Sequence, residues 1–211
     1  MFILTSFRDI IRTPPALFDI NLKTSISNYL NEKLSNKVVK NIGLCVALFD
    51  IESMDDSFIF PGDGGAHTKV EFRFVVFRPF IEEVIIGKIK NCTKDGVHVT
   101  LGFFDDIFIP ESCLQHPSRF DEAEQVWIWE YDSNGEKHDL FMDQGEAVRF
   151  RVTGETFIET SPVSGSDVDK KTSEQSSSDV PYSISVSIST FNFTKIHYFI
   201  LLTRIFLFIR Y

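Results

Sequence analysis

Three lysines close together near the middle of the chain, Lys88, Lys90 and Lys94, have the clearest binding chemistry. Ammonium groups bind phosphate oxygens, and the counterions that they displace supply most of the non-specific affinity of proteins for nucleic acids. His98 and Phe104 follow shortly afterwards, and such rings can stack on unpaired bases. The sequence therefore predicts that these five residues form a candidate contact site for single-stranded RNA.

Strand alternation predicts the orientation of these side chains. Successive side chains of a β-strand point to opposite faces, so Lys88 and Lys90 share one face. We expect that face to be the outer one. The same rule points His98 outward and the valines on either side of it inward, and it gives Phe104 the orientation of His98.

The charge distribution predicts weak RNA binding. The chain has a formal net charge of −9, and residues 82–159, which include the candidate site, carry 7 basic and 17 acidic side chains. Residues 1–81 carry 9 of each kind. Because nucleic-acid affinity depends on an excess of cations, any RNA contact should be weak and local.

Patterns for catalysis and metal binding are sparse. The five histidines form no His-x-x-x-His pair, and Cys45, Cys92 and Cys113 form no Cys-x-x-Cys pair, so no metal site is predicted. The glycine-rich run at residues 62–69 lacks the glycine that precedes the lysine of a phosphate-binding loop. No Gly-x-Ser-x-Gly elbow is present. We predict no catalytic residue, metal or cofactor, although a triad assembled from distant residues stays open.

The candidate RNA site lies at the start of a predicted small β-barrel. Alternating apolar residues at positions 84–90 and 97–101 flank Asp95-Gly96, a dipeptide that supplies the backbone angles of a tight hairpin. A third run at positions 107–109 ends at Pro110. This order is typical of the first half of an S1-type OB-fold, a barrel often used to bind single-stranded nucleic acid.

The second half of the barrel is interrupted. A fourth strand is predicted at positions 146–158, and a fifth at positions 182–188 closes the barrel. Residues 160–180 between them are rich in serine and nearly free of large apolar groups, so they offset too little of the entropy cost of ordering. We expect a disordered insertion there, within a barrel domain that spans residues 82–189.

An extra hairpin is predicted within residues 126–142, with its turn at Asn134-Gly135. Trp127, Trp129 and Tyr131 have the same parity on its first strand. One interpretation is that they stack on bases. Hydrophobic cover for the adjoining surface is favoured, because six acidic residues lie in and beside the hairpin's strands.

Residues 1–81 predict a separate α+β domain. The first eleven residues are β-prone and end at Pro14-Pro15, after which apolar residues recur at helical spacing as far as Leu34. One or two amphipathic helices should therefore follow the first strand. Residues 38–51 and 69–80 predict two further strands.

Residues 190–211 form an atypical apolar tail. Its central part, at positions 196–209, is shorter than the roughly 20 residues of a membrane span and contains Arg204. No membrane is therefore expected as a partner. A variant or mis-predicted C-terminal exon is the favoured interpretation, while a surface-docked helix and a membrane anchor stay open.

Several motifs are long enough to indicate a family. They are Gly43-Leu44-Cys45, Phe60-Pro61-Gly62-Asp63-Gly64, Val75-Val76-Phe77-Arg78-Pro79-Phe80 and Leu101-Gly102-Phe103-Phe104-Asp105-Asp106. With these motifs, the chain from about Met1 to Ile188 resembles the larger stalk subunits of nuclear RNA polymerases, in particular the RNA polymerase III form. That group is related to the seventh subunit of RNA polymerase II and to the archaeal large stalk subunit.

The resemblance implies a function without bond chemistry. It implies a truncated RNP-like tip domain at residues 1–81 and an S1-type OB barrel at residues 82–189, in a subunit without an active site of its own. The implied partners are a smaller stalk subunit, the RNA polymerase III core, initiation factors and, weakly, nascent single-stranded RNA. The implied location is the nucleus, where the protein would contribute to transcription initiation.

The resemblance also implies a docking site on the tip domain. In the family that it resembles, the loop that corresponds to Pro61, Gly62, Asp63, Gly64 and Gly65 helps to dock the stalk on the polymerase core. Glycine is suited to such a loop because it permits a tight turn and close contact with another surface.

A freestanding S1-type protein that binds single-stranded RNA, in RNA processing or translation, is the alternative. It would rest on the barrel and on the five candidate residues. The acidity of residues 82–159 and the domain of about 80 residues before them argue against it, because a simple RNA binder needs neither.

Overall fold

The computed structural model describes residues 1–133, 136–158 and 180–188. The described chain is mostly β-structure with one α-helix. It divides into two compact units, one containing Met1–Pro79 and the other Phe80–Thr156.

Some sequence predictions concern residues outside the described ranges. They include the Asn134-Gly135 turn, the apolar tail at residues 190–211 and, apart from its last residue, the insertion at residues 160–180. These stay predictions. Within the described ranges, no helix has the length and apolar character needed to cross a membrane.

An antiparallel sheet and one helix form the first unit. Its elements are β1 (Phe2–Thr13), α1 (Leu22–Leu34), β2 (Lys37–Val39), β3 (Gly43–Met54), β4 (Phe58–Ile59) and β5 (Ala66–Phe77). The strand order is β1-β5-β3-β2, and the short β4 pairs with the beginning of β5. One helix among strands agrees with the α+β content predicted for this segment.

Helix α1 covers one face of this sheet. The side chain of Asn21 caps its first turn by accepting a hydrogen bond from Lys23 N at 2.9 Å. Ile26 and Leu30, about one turn apart, are fully buried and belong to the same apolar cluster as Phe72 of β5. Removing these side chains from water is the main force that holds the helix on the sheet.

The opposite face of the sheet carries the contacts of the candidate docking loop. Even-numbered residues from Ala66 to Val76 are buried, whereas odd-numbered residues from His67 to Val75 are at least partly exposed. Arg12 of β1 is paired with His67, so the two side chains lie on the same face. The sheet thus brings Arg12 next to the start of β5.

The single strand predicted at residues 38–51 is wrong. The chain forms β2 and β3 there, joined by a turn with Asn41 at φ 62° and Gly43 at φ 130°. A Cβ atom at Gly43 would lie 2.6 Å from the carbonyl oxygen of Phe77. Glycine is therefore required at this close approach, a constraint that strand propensity does not reveal.

The second unit contains the remaining strands. They are β6 (Val84–Thr93), β7 (Gly96–Thr100), β8 (Ile107–Pro110), β9 (Ser118–Asp121), β10 (Val126–Ser133), β11 (Glu136–Phe141), β12 (Ala147–Phe157) and β13 (Tyr182–Ile188). Five of them close a barrel in the order β12-β13-β8-β7-β6. β13 runs parallel to β8. The predicted five-stranded barrel and its closure by the last strand are confirmed.

Strand alternation in the barrel agrees with the prediction. Val97 and Val99 are buried, whereas His98 is only partly covered. The β6–β7 hairpin depends on Gly96, because a Cβ atom there would lie 2.1 Å from the carbonyl oxygen of Ile109. The Asp-Gly signal in the sequence thus reflects a true steric requirement.

A separate three-stranded sheet is inserted between β8 and β12, in the order β11-β10-β9. The β10–β11 hairpin is confirmed, and β9 was not predicted. Trp127 is 2% exposed, and its Nε1 donates a hydrogen bond to the carbonyl oxygen of Thr93 at 2.9 Å. For this residue the interpretation as hydrophobic cover is confirmed. The Trp129 ring packs 5.2 Å from that of Tyr131.

Candidate docking loop and candidate RNA-contact surface

The candidate docking loop is a tight turn whose shape follows from its sequence. The backbone N–H of Asp63 donates to the carbonyl oxygen of Phe60 at 3.2 Å, and Gly62 has φ 93°. Proline followed by a residue with positive φ is the pattern of a type II turn, and Pro61-Gly62 satisfies it. Gly64, at φ 70°, then turns the chain towards β5.

Side chains from two strands hold this turn through hydrogen bonds to Asp63, and we refer to Arg12, Asp63 and His67 as the Asp63 cluster. Arg12 Nε lies 2.9 Å from both carboxylate oxygens of Asp63, and Arg12 Nη2 lies 2.7 Å from Oδ1. The same Nη2 donates to the main-chain oxygen of Asp63 at 3.3 Å. His67 Nε2 lies 2.6 Å from Asp63 Oδ2.

The electrostatics of the cluster favour an ionised carboxylate. Hydrogen bonds from Arg12, and then from His67, lower the pKa of Asp63 to about 2. The bond to Asp63 also raises the pKa of Arg12. The loop is therefore held by a charged pair throughout the physiological pH range.

Gly65 has no side chain and so leaves space for the Arg12 side chain of this cluster. A Cβ atom there would lie 2.9 Å from Arg12 Nε and 3.2 Å from Arg12 Cγ. The side chain of Arg12 thus crosses the loop where Gly65 has no side chain. Gly62 and Gly64 supply turn conformations, whereas Gly65 permits the approach of Arg12.

An exposed apolar surface borders the cluster. Phe58, Ile59 and Phe60 are 45%, 59% and 51% exposed. The rings of Phe58 and Phe60 pack 5.0 Å apart, and the His67 ring lies 4.9 Å from that of Phe60. Exposed apolar groups of this size are typical of protein-binding sites.

Several of these residues were not predicted. Arg12 lies far from the loop in sequence, and β4 is only two residues long, so periodicity does not find its aromatic residues. The signal that could have found them is the run of three apolar residues directly before Pro61.

Two of the three lysines on the barrel have acidic neighbours. Lys90 Nζ lies 2.9 Å from Asp105 Oδ2, and Lys94 Nζ lies 3.8 Å from Glu122 Oε1. Lys88 is exposed and has no ion-pair partner within the part of the chain that the structure describes. Of the predicted cations, Lys88 is thus the one most available to a phosphate.

The loop after β7 satisfies its own polar groups. The Thr100 hydroxyl donates to Asp105, and Gly102 N donates to Thr100 Oγ1 at 2.9 Å. Asp105 raises the pKa of Lys90, while Thr100 and then Lys90 lower that of Asp105. Burial, together with the charge of Asp105, raises the pKa of Asp106. Carboxylates thus offset much of the positive charge here.

The predicted outward orientation of Phe104 is wrong. Phe104 is 5% exposed, and its ring lies 5.5 Å from that of Tyr182 in the barrel interior. Strand parity fails because the chain leaves β7 and turns at Gly102, with φ 88°. Phe103, 47% exposed, lies on the outside instead.

His98 does lie on the outer side, beside an aromatic residue that was not predicted. Its ring is 4.9 Å from that of Phe108, which is directly opposite it on β8. Burial, and then the charge of Lys90, lowers the pKa of His98. The structure therefore brings together Lys90, His98 and Phe108, with Phe104 beneath the surface.

Two arginines near Lys88 were also missed. On β12, Ala147 is paired with Lys88, Arg149 with Ile86 and Arg151 with Val84, so these side chains share the outer face. Arg151 Nη1 lies 2.9 Å from Glu82 Oε2, whereas Arg149 has no ion-pair partner among the residues described. The alternation of arginine with buried Val148 and Phe150 indicates their orientation, but only the β6–β12 pairing locates them beside Lys88.

Metal-ligating side chains are dispersed over the described residues, which contain no group of three or more His, Cys, Asp or Glu side chains suited to a metal. The three cysteines are free; Cys45 and Cys92 are buried, and Cys113 is partly exposed. Burial raises the pKa of the Cys45 and Cys92 thiols.

Two family models match the chain. The model of the RNA polymerase III subunit Rpc25 matches residues 83–193. The model described as the SHS2 domain found in the N terminus of Rpb7p/Rpc25p/MJ0397 matches residues 8–64. The first match includes all five barrel strands, and the second includes the last six residues of β1 and most of the candidate docking loop.

Curated relatives extend the match over most of the chain. The DNA-directed RNA polymerase III subunit RPC8 of Bos taurus is 53% identical over 191 residues, which cover 90% of this chain and 94% of the relative. The protein of the same name from Saccharomyces cerevisiae is 39% identical over 78% of this chain and 76% of its own length. The DNA-directed RNA polymerase subunit Rpo7 of Saccharolobus shibatae is 27% identical over 72% of this chain and 81% of its own. The chain therefore belongs to the family of the RNA polymerase III subunit Rpc25.

Proposed function

We propose that this chain acts as the larger, non-catalytic stalk subunit of DNA-directed RNA polymerase III, in the nucleus. The observation that carries the proposal is the 53% identity to an RNA polymerase III subunit over 90% of this chain and 94% of that relative. An identity of this extent covers both the N-terminal sheet and the barrel. The polymerisation reaction then belongs to other subunits of the enzyme.

The loop formed by Pro61, Gly62, Asp63, Gly64 and Gly65 is the proposed contact with the polymerase core. A fixed turn beside three exposed apolar residues supports this role, because such a surface gains free energy when a partner covers it. The exposed rings would provide the apolar contact, and the turn would determine how they are presented.

The barrel is proposed to be an S1-type OB domain that contacts emerging RNA weakly. Five strands closed into a small barrel support the assignment. Lys88, and His98 with Phe108 beside it, are the best-supported contacts. Lys90 and Lys94 would contribute less because carboxylates lie near them, and Phe104 would act only by packing beneath the site.

The finer organisation is also a proposal. We propose domain limits at residues 1–81 and 82–189, a smaller stalk subunit as the direct partner, and initiation factors as further partners. These partners follow from the stalk assignment.

Affinity purification from nuclear extract tests the proposal against the alternative of a freestanding RNA-binding protein. A tagged copy of the full chain should recover RNA polymerase III core subunits together with one smaller partner. Recovery of ribosomes or RNA-processing complexes without polymerase subunits would contradict the proposal and support the alternative.

A further inference from the structure

The docking loop has few main-chain contacts of its own to maintain its shape. Strand β4 contributes only two residue pairs, Phe58 with His67 and Ile59 with Ala66. A hydrogen bond between the Ser57 and Thr68 hydroxyls at 2.7 Å closes the base of the hairpin. Such a short ladder is weak by itself, so the loop beyond it needs another source of order.

The Asp63 cluster supplies that order from outside the hairpin. Arg12 belongs to β1, which pairs with β5 along its whole length, so its position is set by the sheet. Its guanidinium contacts both the carboxylate and the main-chain oxygen of Asp63. A fork-shaped donor bound to two kinds of oxygen fixes orientation as well as distance.

The same cluster determines where the exposed rings lie. Asp63 contacts His67, and the His67 ring packs against the rings of Phe58 and Phe60. A displacement of Asp63 would therefore release two aromatic side chains as well as the turn. Groups that are already ordered lose less entropy on binding.

We propose that Arg12, Asp63 and His67 form a latch, which holds the loop in its docking conformation before the loop contacts the polymerase core. This inference rests on the proposed docking role of the loop. Arg12, Asp63 and His67 are positioning residues, whereas Phe58 and Phe60 provide the contact with an apolar surface of the core. Gly65 is part of the latch because it leaves room for Arg12.

Hydrogen exchange in the purified full chain tests the latch without any partner. The N–H of Asp63, which is bonded to Phe60 O, reports the turn directly. Asp63→Asn removes the charge at nearly constant size, and we expect protection of the residue 63 amide to fall about five-fold. Gly65→Ala keeps every charge, displaces Arg12 and should have a similar effect. Unchanged protection in both variants would overturn the latch.

Asp50→Asn is the matched control. Asp50 accepts a hydrogen bond from Arg73 Nε at 2.8 Å on the same sheet, and its exposure is similar to that of Asp63. Loss of this pair should leave exchange of the residue 63 amide unchanged. An equal loss of protection in the control would mean that any lost ion pair loosens the sheet, which would overturn a specific role for the Asp63 cluster.

Binding to RNA polymerase III that lacks this subunit separates the latch from the docking role. Phe60→Ala tests the contact surface, and Asp63→Asn and Gly65→Ala test the latch, for which we expect about a ten-fold loss of affinity. If Phe60→Ala reduces binding and the latch variants do not, the latch inference fails and the docking role stands. If none of the variants changes binding, both fail.

Discussion

Ionic contacts have different roles in the candidate docking loop and on the barrel. In the loop, Arg12 and His67 converge on Asp63, and the result is a shape that displays uncharged rings. On the barrel, Asp105 forms an ion pair with Lys90 beside the proposed RNA-contact surface. A charge near a binding site thus need not touch the ligand, because it can instead hold the surface that does.

A steric clash inside the barrel should have the largest effect. In Gly96→Val the added Cβ atom would lie 2.1 Å from Ile109 O, and we expect a loss of about 3 kcal/mol or more in unfolding free energy. Urea unfolding followed by tryptophan fluorescence measures it, since both tryptophans lie in the second unit.

Gly154→Ala is the control for this variant, because a Cβ atom there meets nothing within 4 Å. Its unfolding free energy should stay near that of the wild type. RNA binding should be lost in Gly96→Val. The protection of the residue 63 amide against hydrogen exchange should be unchanged. Near-native stability of Gly96→Val would contradict the steric argument.

The next largest effect should distinguish the candidate docking loop, which is proposed to bind the polymerase core, from the barrel surface, which is proposed to bind RNA. Phe60→Ala should weaken binding to the polymerase core about 30-fold, as expected for a central aromatic contact, and should leave RNA affinity unchanged. Surface plasmon resonance with the subunit-depleted enzyme measures the first effect. Phe141→Ala, which truncates a ring of similar exposure in the second unit, is the control, and an equal loss there would contradict the assignment.

Smaller effects on RNA affinity should show which lysine of the barrel contributes more to RNA binding. Lys88→Glu should reduce affinity for a single-stranded RNA about five-fold and lower the salt slope by about 0.7, because it removes one phosphate contact. Lys90→Glu should cost less, since Lys90 is already paired with Asp105. Fluorescence anisotropy at several salt concentrations measures both, and a larger loss for Lys90→Glu would invert the ranking.

The smallest expected effect is a pH response confined to strong acid. The pKa of Asp63 is about 2, below its usual 3.8, so its contribution to stability is complete above about pH 4 and is lost as the pH falls through about 2. NMR of the carboxyl carbon should show a midpoint near 2. A midpoint near 3.8 would mean that the Asp63 cluster does not form in solution.

Local sequence patterns correctly predicted the structural features that depend on residues close together in the sequence. The Asp95-Gly96 hairpin and the inward Val97 and Val99 follow from strand alternation and from the backbone freedom of glycine. The five barrel strands were found for the same reason. Phe104 was misplaced because alternation applies only within a strand, and the chain turns at Gly102 before reaching it.

Such patterns did not predict contacts between residues that are far apart in the sequence. Arg12 lies 51 residues from Asp63, and Arg149 lies beside Lys88 only because β12 pairs with β6. The sequence indicated a loop at Pro61-Gly62 and a cationic strip at Lys88. It could not indicate which charges would be neutralised, because that depends on strand pairings that the sequence does not state.

The unequal shielding of the three thiols has a practical use. Cys45 and Cys92 are buried, and burial raises their pKa values, whereas Cys113 is partly exposed. Since thiolate formation and access control alkylation, a maleimide dye should attach to Cys113 first. A single fluorophore could thus be installed on the native protein and used to follow its encounters in solution.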